Sequence, residues 1–279
     1  MKVAVVTDAV SSGSYFPAWY AYYGNLFGAG NIHIFTYQSA REAFDGFSLG
    51  SIHALSDNYN DDLRKDTIAD FATELLRDND AVLRVDVDEF LVPDPSKYSD
   101  LKECLTAWSG DHLTAFGFDV FQAPTEPVLD LRRPILAQRR FAYALTALNK
   151  TCVTRVPVKW NRGFHYCSLP PHFGEVFLLH TKRADIALQA EWNQQMRAKA
   201  ANDEFVKNYY GWDLNVIQGY HANRFRLSLE EGSGVMDRKE FNRRFIEKIR
   251  YVEQEKIYDG PYDIEEINVA IPESYRHFF

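Results

Sequence analysis

The chain has 279 residues, 46% of them hydrophobic and 15% aromatic, which is too apolar for a disordered chain and enough for one large α/β domain or two small ones. Its net charge of −8 argues against general nucleic-acid binding, which needs a basic surface. The apolar run after Lys2 is only four residues and ends in Thr7-Asp8, so a buried first strand is expected there rather than a signal peptide. No run approaches the roughly 18 apolar residues of a membrane span.

Strand and helix alternate over the first hundred residues. Lys2–Thr7 reads as a strand. Ser14 is placed to cap a helix whose apolar face is Phe16, Trp19 or Tyr20, Tyr23 and Phe27, and Gly28 and Gly30 stop it. Asn31–Tyr37 is a second strand and Ser51–Leu55 a short third. Ile68, Phe71, Ala72 and Leu75 share one face of a helix over Thr67–Arg77, which feeds a strand beginning at Ala81-Val82-Leu83. Such βαβα alternation predicts a mainly parallel sheet with ligands at the carboxyl ends of its strands.

The pattern changes after Pro95. Leu101, Cys104, Leu105 and Trp108 make one more helix, closed by Gly110. His112–Phe121 and Thr151–Trp160 read as β segments, separated by the Pro- and Arg-containing stretch Pro124–Arg140. Glu175–His180 is an apolar strand ending on a histidine. The remainder reads as helical: Leu188, Trp192 and Met196 recur at four-residue spacing, and Asp237 with Glu240 resembles a capping box before Phe241, Phe245, Ile249 and Val252. No repeat or linker interrupts the chain. A single domain is expected, with a nucleotide-type half at 1–95, a site-completing half at 96–185 and a helical extension at 186–279. Cys104, Cys152 and Cys167 are odd in number and follow no metal spacing, as reduced structural thiols in the cytoplasm would.

The most informative stretch is Val85-Asp86-Val87-Asp88-Glu89-Phe90. In an extended chain residues two apart point the same way, which puts Asp86 and Asp88 on one side, about 6–7 Å apart at Cα. Convergent carboxylates at a strand end are costly unless a cation or an arginine answers them. A divalent metal gripping a phosphorylated ligand is the economical answer, because hard cations take oxygen ligands. A solvated acidic turn or a helix cap is the plainer alternative. Asp8 ends the first strand on the same rim, where a base or ribose would lie, or else it caps the following turn. Arg64 and Lys65 precede the helix leading to Asp86 and are placed to meet phosphate or ribose. Arg132, Arg133, Arg139 and Arg140 form the densest basic patch, either an anion clamp or a solvated surface.

Asp-Val-Asp-Glu-Phe-Leu at 86–91 resembles the metal-binding motif of glycosyltransferases with the GT-A fold, in their family-2-like group. Tyr15-Phe-Pro-Ala-Trp-Tyr-Ala-Tyr-Tyr-Gly24 is similar to that group's aromatic helix, and Gly163-Phe164-His165 and Leu178-Leu179-His180-Thr181-Lys182 to its late segment. The resemblance covers about residues 1–185 and implies a GT-A (Rossmann-like) sheet and a transferase using Mn²⁺ or Mg²⁺. It implies a nucleotide-sugar donor, a UDP-sugar as first choice, and a glycan or lipid-linked acceptor. Asp88 would then hold the metal, Asp86 the metal or the ribose, and His180 a further position on the diphosphate side, with His165 a weaker candidate and Glu89 orienting the loop. An inverting enzyme also needs a carboxylate base: Asp119, alone in an apolar strand, is the first choice, with Glu175, Asp185 and Asp213 as rivals. Trp160, Tyr209, Tyr210 and Trp212 offer stacking faces for a sugar, or belong to the core. Such an enzyme is expected in the cytoplasm, with peripheral attachment at the inner face of the membrane where its acceptor is lipid-linked. Two other classes fit the front half: a sugar-phosphate nucleotidyltransferase, against which Asp8–Gly13 holds no Lys or Arg, and a non-catalytic glycan-binding protein.

Overall fold

The structure is a computed structural model that describes residues 1–11, 13, 15–58, 60–199, 208, 210–230, 238–262 and 267–279. Ser14, Tyr209 and Asp237 therefore lie outside the described residues, and with them the expected cap, one stacking face and the capping box.

Four strands build the front half: β1 (Val3–Asp8), β2 (Ile32–Tyr37), β3 (Ser51–Leu55) and β4 (Ala81–Arg84). They lie in the order β3-β2-β1-β4, all parallel. Their connections include α1 (Phe16–Phe27) and α2 (Asp61–Leu75), which pack on opposite faces. Phe16, Trp19 and Tyr23 of α1 are buried in one core, Ile68, Ala69 and Ala72 of α2 in the other. α2 starts six residues before the expected Thr67, because Asn60 accepts from the Leu63 amide at 3.0 Å and Asp61 and Asp62 suit the positive helix end. Its first turn is polar, so hydrophobic spacing does not reveal it.

The sheet then becomes mixed. β5 (Glu89–Pro93) is followed by α3 (Leu101–Ala107), β6 (His112–Phe121), β7 (Phe141–Ala144), β8 (Thr151–Thr154) and β9 (Phe173–Arg183). β8 runs antiparallel to both β4 and β6, β7 antiparallel to β6, and β9 parallel to β6 and antiparallel to β5. β8 stops at Thr154 rather than Trp160, whose indole turns inward and donates to the Thr151 carbonyl at 3.3 Å. Gly117 of β6 lets the 145–150 segment cross at close range: a β-carbon there would lie 2.2 Å from that of Leu148. That crossing sets Lys150 beside the end of β4.

The C-terminal region carries α4 (Ile186–Lys199), α5 (Leu214–Glu230) and α6 (Arg238–Ile246). A short hairpin of β10 (Arg250–Val252) and β11 (Ile257–Asp259) follows, so Val252 is not helical as its spacing suggests. β12 (Asn268–Ala270) returns to pair antiparallel with β7 at the edge of the main sheet, and Phe279 stacks on Phe90 at 3.9 Å. The result is an α/β fold with a mixed sheet, flanking helices and a helical C-terminal region, its four front strands parallel as the alternation predicts.

Candidate active site

The segment joining β4 to β5 is a turn, not the extended chain that the alternating Val-Asp-Val-Asp suggests. The Glu89 amide donates to the Asp86 carbonyl at 3.0 Å, and the Asp86 amide to Glu89 Oε2 at 3.0 Å. Thr181 clamps the far side, its amide and hydroxyl both donating to the Asp88 carbonyl, at 2.7 and 2.9 Å. Tyr22 and Tyr23 of α1 brace the strand that follows: Tyr22 donates to the Leu91 carbonyl at 2.6 Å, and Tyr23 to that of Glu89 at 3.2 Å. The turn sends the two aspartates to different partners, which corrects the expectation that they face one side together.

Asp86 faces protein cations. Its Oδ1 takes Arg84 at 2.7 Å and its Oδ2 takes Lys150 at 3.0 Å. Arg84 also reaches Asp8 at 2.5 Å, and Arg64 bonds the other oxygen of Asp8 at 2.6 Å. Both guanidiniums lie over the Phe164 ring, Arg84 at 3.7 Å and Arg64 at 4.9 Å from its centroid. Lys150 is itself buried and bonds the fully buried Glu89 at 2.6 Å. Burial alone would raise the Asp86 carboxyl, but Arg84 and Lys150 outweigh it and hold it well below the usual range. Glu89 is pushed up, by burial first and by Asp86 next. Lys65 points away, to Asp62 and Asp66.

Asp88 faces His180. A row of directly opposed residues crosses four strands here: Glu89 of β5, His180 of β9, Asp119 of β6 and Tyr143 of β7. Residues opposed in this way share a face, which brings their side chains together. His180 Nε2 lies 3.4 Å from Asp88, and Nδ1 lies 3.0 Å from Asp119. Burial disfavours the imidazolium, yet Asp88 and Asp119 together push the His180 pKa up to about 10. Asp119 is fully buried, and its second oxygen accepts from Tyr143 at 2.8 Å and from Arg183. Burial raises its carboxyl, but Arg183 and His180 more than reverse this and hold it far below the usual range. This ion cluster is why an aspartate sits in an apolar strand. Tyr220 of α5 extends it, donating to the Tyr143 hydroxyl at 2.7 Å. β9 runs three residues beyond His180, which carries Lys182 and Arg183 into the site.

A small cleft opens beside Asp88, lined also by Tyr15, Val87, Lys182, Leu188 and Trp192. Lys182 is buried, its Nζ 4.3 Å from the centroid of the Tyr210 ring, and burial followed by Arg183 lowers its pKa to about 8.

The other sequence candidates lie elsewhere. Glu175 is five residues before His180 on β9, about 16–17 Å away along the strand, and bonds Lys97 at 3.1 Å. Asp185 caps α4, accepting from the amides of Ala187 and Leu188 at 2.9 and 3.1 Å, and Asp213 caps α5 through the Val216 amide at 2.9 Å. His165 donates from Nδ1 to the Ala147 carbonyl at 2.5 Å, and burial, with Lys150 nearby, takes its pKa down to about 3. The arginine patch disperses: Arg132 bonds Asp130, Arg140 bonds Glu126, and Arg139 is wholly buried against the Ala184 and Gln138 carbonyls. Trp212 packs on Tyr220, at 5.2 Å between ring centroids. The cations Arg84, Lys150 and Arg183 have no signature in the sequence beyond charge within apolar surroundings, and neither does Tyr143.

Among the described residues, no group of three or more His, Cys, Asp or Glu side chains converges to hold a metal. No family model and no curated protein matches the chain. A solved structure to which it is similar is mannose-1-phosphate geranyltransferase from Thermus thermophilus, with 13% identity over 78% of this chain and 68% of that one and a TM-score of 0.31. The site is therefore read from its own side chains.

Proposed function

We propose that the chain is a metal-dependent glycosyltransferase that moves a sugar from a nucleotide-sugar, a UDP-sugar as first choice, to a glycan or lipid-linked acceptor. The observation that carries this reading is the pairing of Asp88 with His180, Asp88 lining a cleft at the carboxyl rim of the four parallel strands. The 3.4 Å between Asp88 Oδ2 and His180 Nε2 is long for a hydrogen bond. Here Asp88 and the His180 imidazolium answer each other; a divalent ion would displace the Nε2 proton and be held between carboxylate and imidazole, with Asp119 orienting the ring from behind and phosphate and water in the remaining positions. Asp86 suits it less, since both its oxygens are engaged by cations of the chain. In this reading Asp88 and His180 hold Mn²⁺ or Mg²⁺, while Asp86, Asp8 and Arg64 form the nucleoside side. Such an ion, when bound, neutralises the charge that gathers on the leaving diphosphate.

The chain's own residues prepare that site. Asp119, kept ionised by Arg183 and His180, fixes the direction of the His180 ring by accepting a hydrogen bond from its Nδ1–H. It is sealed from the cleft, so we assign it this positioning role in place of the acceptor's base. Lys182 brings an amine to the wall beside Asp88, where a diphosphate would lie.

The test is incubation with a panel of nucleotide-sugars, with Mn²⁺ or Mg²⁺ and with EDTA. Metal-dependent transfer, or slow release of the nucleoside diphosphate, supports the proposal. Pyrophosphate exchange with a nucleoside triphosphate would indicate a nucleotidyltransferase, and silence across the panel a binding protein. Among the described residues no helix is long and apolar enough to cross a membrane, so a lipid-linked acceptor would be met from the membrane surface.

A further inference from the structure

One residue lining the cleft beside Asp88 carries a buried hydroxyl that no described neighbour satisfies. Tyr15, at the start of α1, is 7% exposed, and among the described residues its Oη has no hydrogen-bond partner. A buried polar atom left unmade costs free energy, and such groups in folded proteins call for a reason. Burial, followed by the nearby Asp185 and Asp88, pushes this phenol well above its usual pKa, so it stays protonated and can donate. Trp192 of α4 lines the same cleft, with Leu188 one turn before it, adding apolar surface to a lining that also holds Asp88 and Lys182. An aromatic side chain and an unpartnered hydroxyl lining one cleft are chemistry that fits a pyranose ring, which offers C–H bonds on its face and hydroxyls at its rim.

We infer that Tyr15 and Trp192 form the pocket for the sugar ring of the donor, Tyr15 donating to a sugar hydroxyl and Trp192 lying against the ring; this rests on the glycosyltransferase reading. A nucleobase would stack as well on an aromatic face, but the cleft is lined by Asp88, not by Asp8 or Asp86. The nucleoside end lies toward those two, along with Arg64 and Arg84. Tyr15 is thus a specificity residue for the sugar and not for the nucleotide.

The experiment compares the full chain with Tyr15→Phe and Trp192→Leu. Binding is read by calorimetry with Mn²⁺, using UDP and GDP alone and then UDP-glucose, UDP-galactose, UDP-N-acetylglucosamine and GDP-mannose. For the nucleotide-sugar that wild type binds, Tyr15→Phe is expected to raise Kd about three- to tenfold, the worth of one neutral hydrogen bond. The Kd of the matching nucleoside diphosphate should stay within about twofold. Trp192→Leu should show the same selectivity. In the free protein Tyr15→Phe should melt at or above the wild-type temperature, since it deletes an atom without a partner. Equal weakening of UDP and UDP-sugar, no change in either, or a clear drop in melting temperature each overturns the assignment while leaving the transferase reading in place. Wild-type protein that binds none of the probes overturns both.

Discussion

Lys150→Met tests how the acidic turn is held. Lys150 bonds Glu89 at 2.6 Å and Asp86 at 3.0 Å, and Glu89 has no exposed surface. Methionine fills similar space without charge, so the variant leaves a buried carboxylate without the cation bonded to it. Removing one partner of a buried pair typically costs about 3–5 kcal/mol, a large share of the roughly 5–15 kcal/mol that holds a domain together. The cost should depend on pH. Glu89 is already raised in the folded state, and without Lys150 it rises further, while the unfolded carboxyl keeps its ordinary value. A folded pKa above the unfolded one means that the folded state binds more protons, so the variant's deficit is greatest near neutrality and shrinks as pH falls toward the carboxylate range. Urea denaturation at pH 7.5 and 5.5 reads both effects. Adding Glu89→Gln should recover much of the loss, because the amide carries no charge and its carbonyl still accepts from the Asp86 amide. A loss below about 1 kcal/mol at neutral pH, or no recovery in the double variant, would refute the reasoning.

Asp119→Asn should weaken Mn²⁺-dependent UDP binding about 10–100-fold, the usual effect of losing the group that orients a ligating histidine. If Asp119 were the acceptor's base, kcat would fall with UDP affinity unchanged, and steady-state kinetics with titration separates the two. His165, whose folded pKa is pushed down to about 3, should contribute stability that is complete above the unfolded value near 6.5 and is lost as pH falls below it. That loss is about 2 kcal/mol by pH 5, and His165→Phe should flatten this part of the pH–stability curve. Gly117→Ala forces a β-carbon to within 2.2 Å of that of Leu148, so the 145–150 segment must move. A cost of about 1–3 kcal/mol or more follows, with a matching loss of UDP affinity because Lys150 moves too; thermal melts and calorimetry check both.

Four of the strands are legible because their signals are local. β3 and β6 fall on their expected bounds and β1 and β2 within a residue, since each is an apolar run closed by Gly, Thr-Asp or a polar turn. β5 escapes because it ends in Pro93 and so reads as a turn, and β7 because it directly follows the Pro- and Arg-containing stretch ending at Arg140. The turn at 85–88 escapes for a deeper reason. Val-Asp-Val-Asp has the period of a strand, and what bends it are contacts from Lys150 and Thr181, more than sixty residues away. The aspartates at 86 and 88 and the histidine at 180 stand out by type, and the aspartates also by their position past the end of an apolar strand; the strand expected to end at His180 runs on to Arg183. The cations that answer them do not, because only the pairing of β9 with β5 and β6, and the crossing at Gly117, brings them near.

Calorimetric titration of UDP with and without Mn²⁺, on wild type and on Asp88→Ala, tests the proposed metal-dependent donor site most directly. Wild type should bind UDP more tightly with Mn²⁺ than in EDTA, and Asp88→Ala should lose that increment while keeping its melting temperature, because the Asp88 carbonyl that anchors the turn to Thr181 is retained. Equal UDP affinity in Mn²⁺ and EDTA for wild type, or an undiminished metal increment in Asp88→Ala, would contradict it.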